Sequence, residues 1–397
     1  MIPAIRSAFN NSFTQASYID FLQDLDSAHP GEIDFRVAET PIFVDRDFTQ
    51  KILDACESIV DVIVQPDFKT FTERAIPDKD KVPNPTDYPD FIAFDFGICL
   101  DEAGGYTPQL IEMQGFPTLF AYQAWHSKII RKDFNVPANY DSYLNGFTEE
   151  TYISLLKEII LGGHPAENVI LLEIYPEEQK TRIDFFFTKD FTGIETVCLT
   201  KLKADGQVLY YEKNGRRFDV KRIYNRVIFD ELDKMILPVG TIDIRQPYNV
   251  EWSPHPDWFY RVSKYTLPFI HSPYVPETNF LADIISIPKD LENYVLKPLF
   301  SFAGQGVIID VKQEDIDAIT DKENWILQKK VHYADAIETP DIPAKAEIRI
   351  FYFWPKDAAR PIATQNLARL SKGKMIGVRY NADKEWVGGT QCFFEKL

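Results

Sequence analysis

The chain has 397 residues, 45% of them hydrophobic, with 30 Phe and 19 Tyr, enough to build two or three domains and a large core. Lys+Arg 43 against Asp+Glu 60 leaves a formal net charge of -17, which excludes nucleic acid and anionic membranes as general partners because the field repels phosphate. Four dispersed cysteines (Cys56, Cys99, Cys198, Cys392) with no CxxC fit reduced cytosolic thiols better than a disulfide frame or zinc site, and the absence of a signal-peptide run or an 18-residue apolar segment leads us to expect a soluble, cytoplasmic protein.

Residues 1–90 read as mainly helical with loops. Apolar residues recur at helical spacing from Phe48 to Val64, which predicts an amphipathic helix. Pro77 to Pro89, rich in Pro, Asp and Lys, reads as a surface loop without chemistry.

From Phe91 the character changes. Two strands are expected, Phe91–Leu100 and Pro108–Gln114, joined by the turn Asp101-Glu102-Ala103-Gly104-Gly105. Glu112 and Gln114 are two apart and share a face. A hairpin would bring Asp95, Glu112 and Gln114 together. Three oxygen donors suit Mg²⁺, which keeps the rest of its shell for water and phosphates. The plainer alternative is a solvated polar face. Against it stand the apolar flanks Ile92, Phe94, Phe96, Ile98, Leu110, Ile111 and Met113, since buried carboxylates need partners.

A helix is expected within Gly146–Gly163, ended by Gly162-Gly163-His164-Pro165. Strands follow at Asn168–Pro176, Asp184–Phe187, Ile194–Leu199 and Val208–Lys213. Their alternation with short helical segments argues for an α/β domain with a largely parallel sheet. Arg226, leaving the Arg222–Val227 strand, would bind an anionic substrate at a strand end or form a structural ion pair. Trp252–Asp257 reads as a Pro-rich crossover, and a helix carrying Lys264 is expected from Phe259 to Ile270. A helical lysine is ordinarily solvated, so its position alone decides nothing.

Tyr294–Asp310 reads as strand, small-residue loop, strand. Lys297 ends the first strand, and Ser301-Phe302-Ala303-Gly304-Gln305-Gly306 can turn tightly and present N–H groups to an anion. The segment lacks the Gly-Lys-Ser/Thr of a Walker loop, and it leads into a strand where a dinucleotide fingerprint leads into a helix. It reads either as a lid over a polyphosphate or as an ordinary hairpin. Trp325–Val331 and Ala346–Trp354 are expected strands, the latter with Glu347 and Arg349 on one face. Arg369, Lys372, Lys374 and Arg379 concentrate positive charge, as a solvated hairpin or an offset to the acidic field.

The order Lys264, Val-Pro-Glu-Thr, Lys297-Pro298, glycine loop, Leu-Gln-Lys-Lys-Val, Glu-Ile-Arg, Asn-Leu-Ala-Arg-Leu-Ser resembles the ATP-grasp superfamily. The family's metal strands are missing after these, and the Phe94–Leu119 stretch looks like that missing piece. The chain therefore resembles a circularly permuted ATP-grasp enzyme of the eukaryotic glutathione synthetase and glutathionylspermidine synthetase kind. The resemblance covers roughly 91–120 and 168–390; the rest is matched only by position.

It implies an α/β (α+β) fold in three parts: 1–145, helical region plus permuted metal strands; 146–250, a Rossmann-like substrate domain; 251–397, the nucleotide domain with its glycine-rich lid. It implies ATP and Mg²⁺, with Lys264 and Lys297 on the α- and β-phosphates. Ser301, Ala303, Gly304, Gln305 and Gly306 would close over the β/γ-phosphates. Gln328, Lys329, Lys330 and Val331 would line the adenine pocket through backbone groups. Glu347 would take a ribose hydroxyl, beside Arg349. Arg369, with Lys297, would serve the transferring phosphoryl group. Asp95, Glu112 and Gln114 would hold magnesium, and Arg226 and Arg379 would face the substrate. Gln114 departs from the family's Asn, which puts one metal contact in doubt.

The implied function is an ATP-dependent carboxylate–amine ligase acting on small molecules, with a homodimer admissible as its assembly. A kinase using the same clamp and a nucleotide-binding pseudoenzyme are the alternatives. A nicotinamide oxidoreductase is disfavoured because no GxGxxG follows Asn168–Ile174.

Overall fold

The computed structural model describes residues 2–232, 234–300, 306–373, 376, 381 and 383–396. Three helices lead the chain: Pro3–Ser12, Gln15–Asp26 and Arg46–Ile63. The third matches the expected amphipathic helix. Asp45 caps it by accepting from the Phe48 N–H at 2.8 Å. Its stripe of Phe48, Ile52, Ala55, Cys56, Ile59, Val60 and Ile63 is buried, and it packs on the Tyr106–Gln114 strand.

The central sheet is antiparallel and runs Gly388–Thr390, Ile362–Ser371, Lys345–Phe353, Phe91–Leu100, Tyr106–Gln114. Strands from the first third of the chain and from its end thus share one sheet. Strand alternation explains how it is used. Ile92, Phe94, Phe96, Ile98, Ile348, Ile350 and Tyr352 face the core under the Arg46–Ile63 helix. On the other face Phe91, Ala93, Phe351, Phe353 and Leu367 belong to a second core. Further along that same face the residues become Asp95, Gly97, Glu347, Arg349 and Arg369. The switch from apolar to charged marks where the sheet leaves the core.

A second, four-stranded sheet is parallel throughout: Glu251–Ser253, Arg222–Asn225, Val169–Glu173, Glu195–Cys198. Helices Glu149–Leu161 and Ile183–Thr192 accompany it. The first begins with a Thr148–Thr151 capping box and ends at Gly162, whose φ of 56 is left-handed. A third sheet, Thr278–Phe280, Trp325–Lys329, Tyr294–Pro298, is antiparallel and has its own small core of Leu281, Leu296, Val311, Ile316 and Leu327. The fold is therefore mixed α/β with several sheets. Among the described residues no helix is long and apolar enough to cross a membrane.

Several local expectations are corrected. Asp184–Phe187 is not a strand but lies in the Ile183–Thr192 helix, ended by left-handed Gly193. The Phe-rich run fits either element; the glycine stop and the buried Ile183, Phe187 and Thr188 on a helical face decide it. The helix expected from Phe259 to Ile270 is broken into Asp257–Arg261 and a 3-10 segment Lys264–Phe269 containing Pro268. Val307–Asp310 is not a full strand: Ile308 alone bridges Leu296. The Pro77–Pro89 loop is not wholly superficial, because Asp80 is buried and accepts from the Tyr260 hydroxyl at 3.0 Å.

Candidate functional site

The charged end of the central sheet is built by register. Asp95 lies opposite both Glu112 and Arg349, and Glu347 lies opposite both Gly97 and Arg369. Directly paired residues share a face, so three acids and two arginines meet. Arg349 donates from Nε to Asp95 Oδ1 at 2.5 Å and from its terminal nitrogen to Oδ2 at 2.6 Å. Arg369 donates to Asp95 Oδ2 at 2.8 Å and also to Glu347 Oε1. The Tyr333 hydroxyl donates to Glu347 Oε2 at 2.9 Å. Gly97 makes room for this tyrosine: a Cβ there would lie 2.7 Å from the Tyr333 ring.

Burial opposes charge on Asp95, yet Arg349 and Arg369 outweigh it and hold its carboxyl below the usual range. Burial and the Asp95 charge push Glu347 upward, with Arg369 opposing. Burial alone would lower the Arg369 guanidinium, but Glu347, Asp95 and Glu112 raise it. Glu112 therefore belongs to the same electrostatic neighbourhood.

Both Asp95 oxygens are occupied by guanidinium groups. That is a different employment from the metal ligation expected of it. Glu112 and Gln114 are half-buried and line one cleft with Ser263, Lys264, Leu299 and Phe300. A carboxylate and an amide oxygen beside a lysine fit Mg²⁺ held partly by phosphate and water. Among the described residues no group of three or more His, Cys, Asp or Glu could hold a metal ion. Gly115 follows Gln114 and must be small, since a Cβ there would strike the Trp258 carbonyl.

Lys297, on the third sheet, is within electrostatic reach of Glu112 and Lys264 of this cleft. Its ammonium donates to Gln328 Oε1 at 2.6 Å. Burial pushes it down to about 8, with Lys264 adding to the fall and Glu112 and Glu347 opposing it. Lys264, Lys297, Glu112, Glu347 and Arg369 are thus brought together from distant stretches. Gly306, with φ 71, lies against Pro298. Ser301, Ala303, Gly304 and Gln305 lie outside the described residues, as do Lys374 and Arg379.

On the strand expected at the adenine, the Gln328 side chain turns inward to Lys297 and Thr278. Lys329 pairs with Glu277 at 2.8 Å, and Lys330 donates to the Glu292 carbonyl at 2.5 Å. Val331, just beyond, is half-buried. The two described members of the expected positive patch are paired: Arg369 is shared by two acids and Lys372 pairs with Asp341.

Arg226 leaves the parallel sheet at the end of the Arg222–Asn225 strand and is 4% exposed. Its guanidinium lies 5.1 Å from the Phe116 ring and 5.6 Å from the Phe185 ring, and it touches Thr118 at 3.5 Å. Its Nε and one terminal nitrogen have no hydrogen-bond partner among the described residues. Asp184 is nearby electrostatically, but its Oδ1 accepts from the Ala121 and Tyr122 N–H groups at 2.9 Å each, capping the Tyr122–Asp133 helix. Phe116 and Thr118 follow Gln114 directly, so Arg226 borders the chain segment that leaves the cleft.

Sequence reasoning missed Tyr333, which carries no motif. Its one signal was Gly97, a glycine inside an apolar strand, which marks close approach of another group. Asp184 was missed because its segment was read as a strand.

No family model matches the chain, and no curated protein matches it by sequence. Among solved structures it is similar to a glutathione synthetase-like effector from Globodera pallida, determined in its apo form. The TM-score is 0.58 at 11% identity, over 97% of this chain and 98% of that one. A likeness at that identity speaks to fold alone: a glutathione synthetase-like arrangement over nearly the whole length.

Proposed function

We propose that this protein is an ATP-dependent carboxylate–amine ligase on a circularly permuted ATP-grasp fold. One observation carries the reading. Glu112, from the first third of the chain, shares a neighbourhood with Lys297 and Arg369, from its last third, and lines a cleft with Lys264. That is the set a metal-bound polyphosphate requires: an acid for the cation and separate cations for the phosphates.

In this reading Lys264 and Lys297 bind phosphate oxygens, and Glu112 and Gln114 would hold a magnesium ion, which when bound would supply further neutralisation of phosphate charge. Arg226 holds the substrate carboxylate with its two unpartnered nitrogens. The carboxylate attacks the γ-phosphorus, giving an acyl phosphate and ADP. An amine then forms the amide and releases phosphate. The chain's own work is positioning and charge stabilisation in a site that excludes water.

A second reading is a nucleotide-binding pseudoenzyme. It draws support from Arg369, whose charge is already shared by Asp95 and Glu347. Screening amino acids, small peptides and polyamines for stimulated ADP release tests the ligase. Amide plus free phosphate supports it; a phosphorylated product would indicate a kinase. Calorimetric binding of ATP–Mg²⁺ without turnover would leave the pseudoenzyme, and no nucleotide binding would overturn all three.

A further inference from the structure

We infer that Thr278 and Gln328 form a relay of fixed hydrogen-bond polarity that aims the Lys297 ammonium into the cleft, making both of them positioning residues. The inference rests on Lys297 being the phosphate-binding lysine of the proposed function.

The geometry comes from strand register. Thr278 lies directly opposite Gln328, and Lys297 lies opposite Ile326, two residues from Gln328. Direct and diagonal pairs lie on the same face of an antiparallel sheet. The three side chains therefore form a row across the third sheet. Gln328 is 1% exposed and Thr278 7%.

The direction of each bond follows from the first. The Thr278 hydroxyl donates its one proton to the Pro276 carbonyl at 2.8 Å. A hydroxyl has one proton, so toward Gln328 its oxygen can only accept. The Gln328 Nε2 donates to it at 2.9 Å. This fixes which way the amide points, and Oε1 must face Lys297, which donates at 2.6 Å. Proline at 276 has no N–H of its own to compete, and its carbonyl is an acceptor only. One ammonium proton is thereby held, leaving two for phosphate oxygens.

Glu112 on the central sheet, Glu347 beside it and Lys264 on the facing segment also act on this ammonium. Within the third sheet the hydrogen bond to Gln328 sets its direction. Loss of that acceptor would leave a buried ammonium less satisfied and easier to deprotonate.

The test is a titration of Lys297 by NMR with lysine labelled at Cε, its signal assigned by its loss in Lys297→Met. Thr278→Val and Gln328→Leu should each lower the midpoint by up to about one unit, tenfold in proton affinity. Gln328→Glu should raise it, and Thr278→Ser should leave it in place. ATP–Mg²⁺ affinity in Gln328→Leu should be weakened at pH 8 and largely recovered at pH 6. An unmoved midpoint in Thr278→Val and Gln328→Leu, or an affinity loss equal at both pH values, would overturn the relay. If Gln328→Leu does not fold, the isosteric Thr278→Val decides alone. Should the wild-type protein bind no nucleotide, the functional proposal fails while the titration still judges the relay.

Discussion

Arg349 and Asp95, far apart in sequence, meet as a two-point ion pair across neighbouring strands of the central sheet. Asp95 is 1% exposed, so its charge is tolerable only because two guanidinium groups accompany it. Asp95→Ala should therefore cost about 3–5 kcal/mol, the usual penalty for leaving buried charge without its partner. Urea denaturation measures it. A loss under about 1 kcal/mol would show that the arginines find water instead.

Glu112 has a different weight. It is half-buried on an edge strand, and its proposed duty is to the metal. Glu112→Gln should change stability by less than about 0.5 kcal/mol while reducing ATP turnover ~10²–10³-fold. Denaturation and ADP release on one preparation separate the two effects. Mn²⁺ affinity, read by electron paramagnetic resonance, should fall in Glu112→Gln and stay unchanged in Asp95→Asn.

Arg226 combines burial between two phenylalanine rings with unpartnered nitrogens. Arg226→Lys keeps the charge but loses the planar fork and its stacking. The KM for the carboxylate substrate should rise about tenfold or more, the free-energy scale of one charge-assisted hydrogen bond, with kcat changed much less. A fall in kcat at constant KM would place Arg226 outside substrate binding.

Acid sensitivity should trace partly to His255, fully enclosed and facing the Pro83 carbonyl. Burial pushes its imidazole down to about 4. In the unfolded chain it protonates near 6.5. A base whose folded pKa is lowered contributes stability that is complete above the unfolded value and is lost as pH falls from about 6.5 to about 4. The full loss is on the order of 3 kcal/mol. His255→Gln should flatten the fall in urea midpoint between pH 7 and 5; an unchanged slope would assign the effect to other groups.

Legibility followed the range of the forces involved. Phe91–Leu100 was readable because strand content is local, and Glu112 and Gln114 shared a face because alternation is local. The Arg46–Ile63 helix was readable from its apolar period. The Ile183–Thr192 helix was not, because a Phe-rich run suits either element and tertiary packing chose between them. Asp95 was read as a metal ligand, while in the fold two guanidinium groups bond its carboxylate. Nothing near it in sequence announces Arg349 or Arg369, which arrive from strands near the end of the chain.

Sequence by itself determined the secondary elements with strong periodicity, the acidic balance and the residue types available to the proposed nucleotide site. Only the tertiary structure decided which of those residues are already paired. Asp95 goes to Arg349, Gln328 to Lys297 and Arg369 to two acids, while two nitrogens of Arg226 have no partner among the described residues. The reason is physical: pairing depends on strand register between segments far apart in the chain, and a shift of one residue would send each of these side chains to the opposite face.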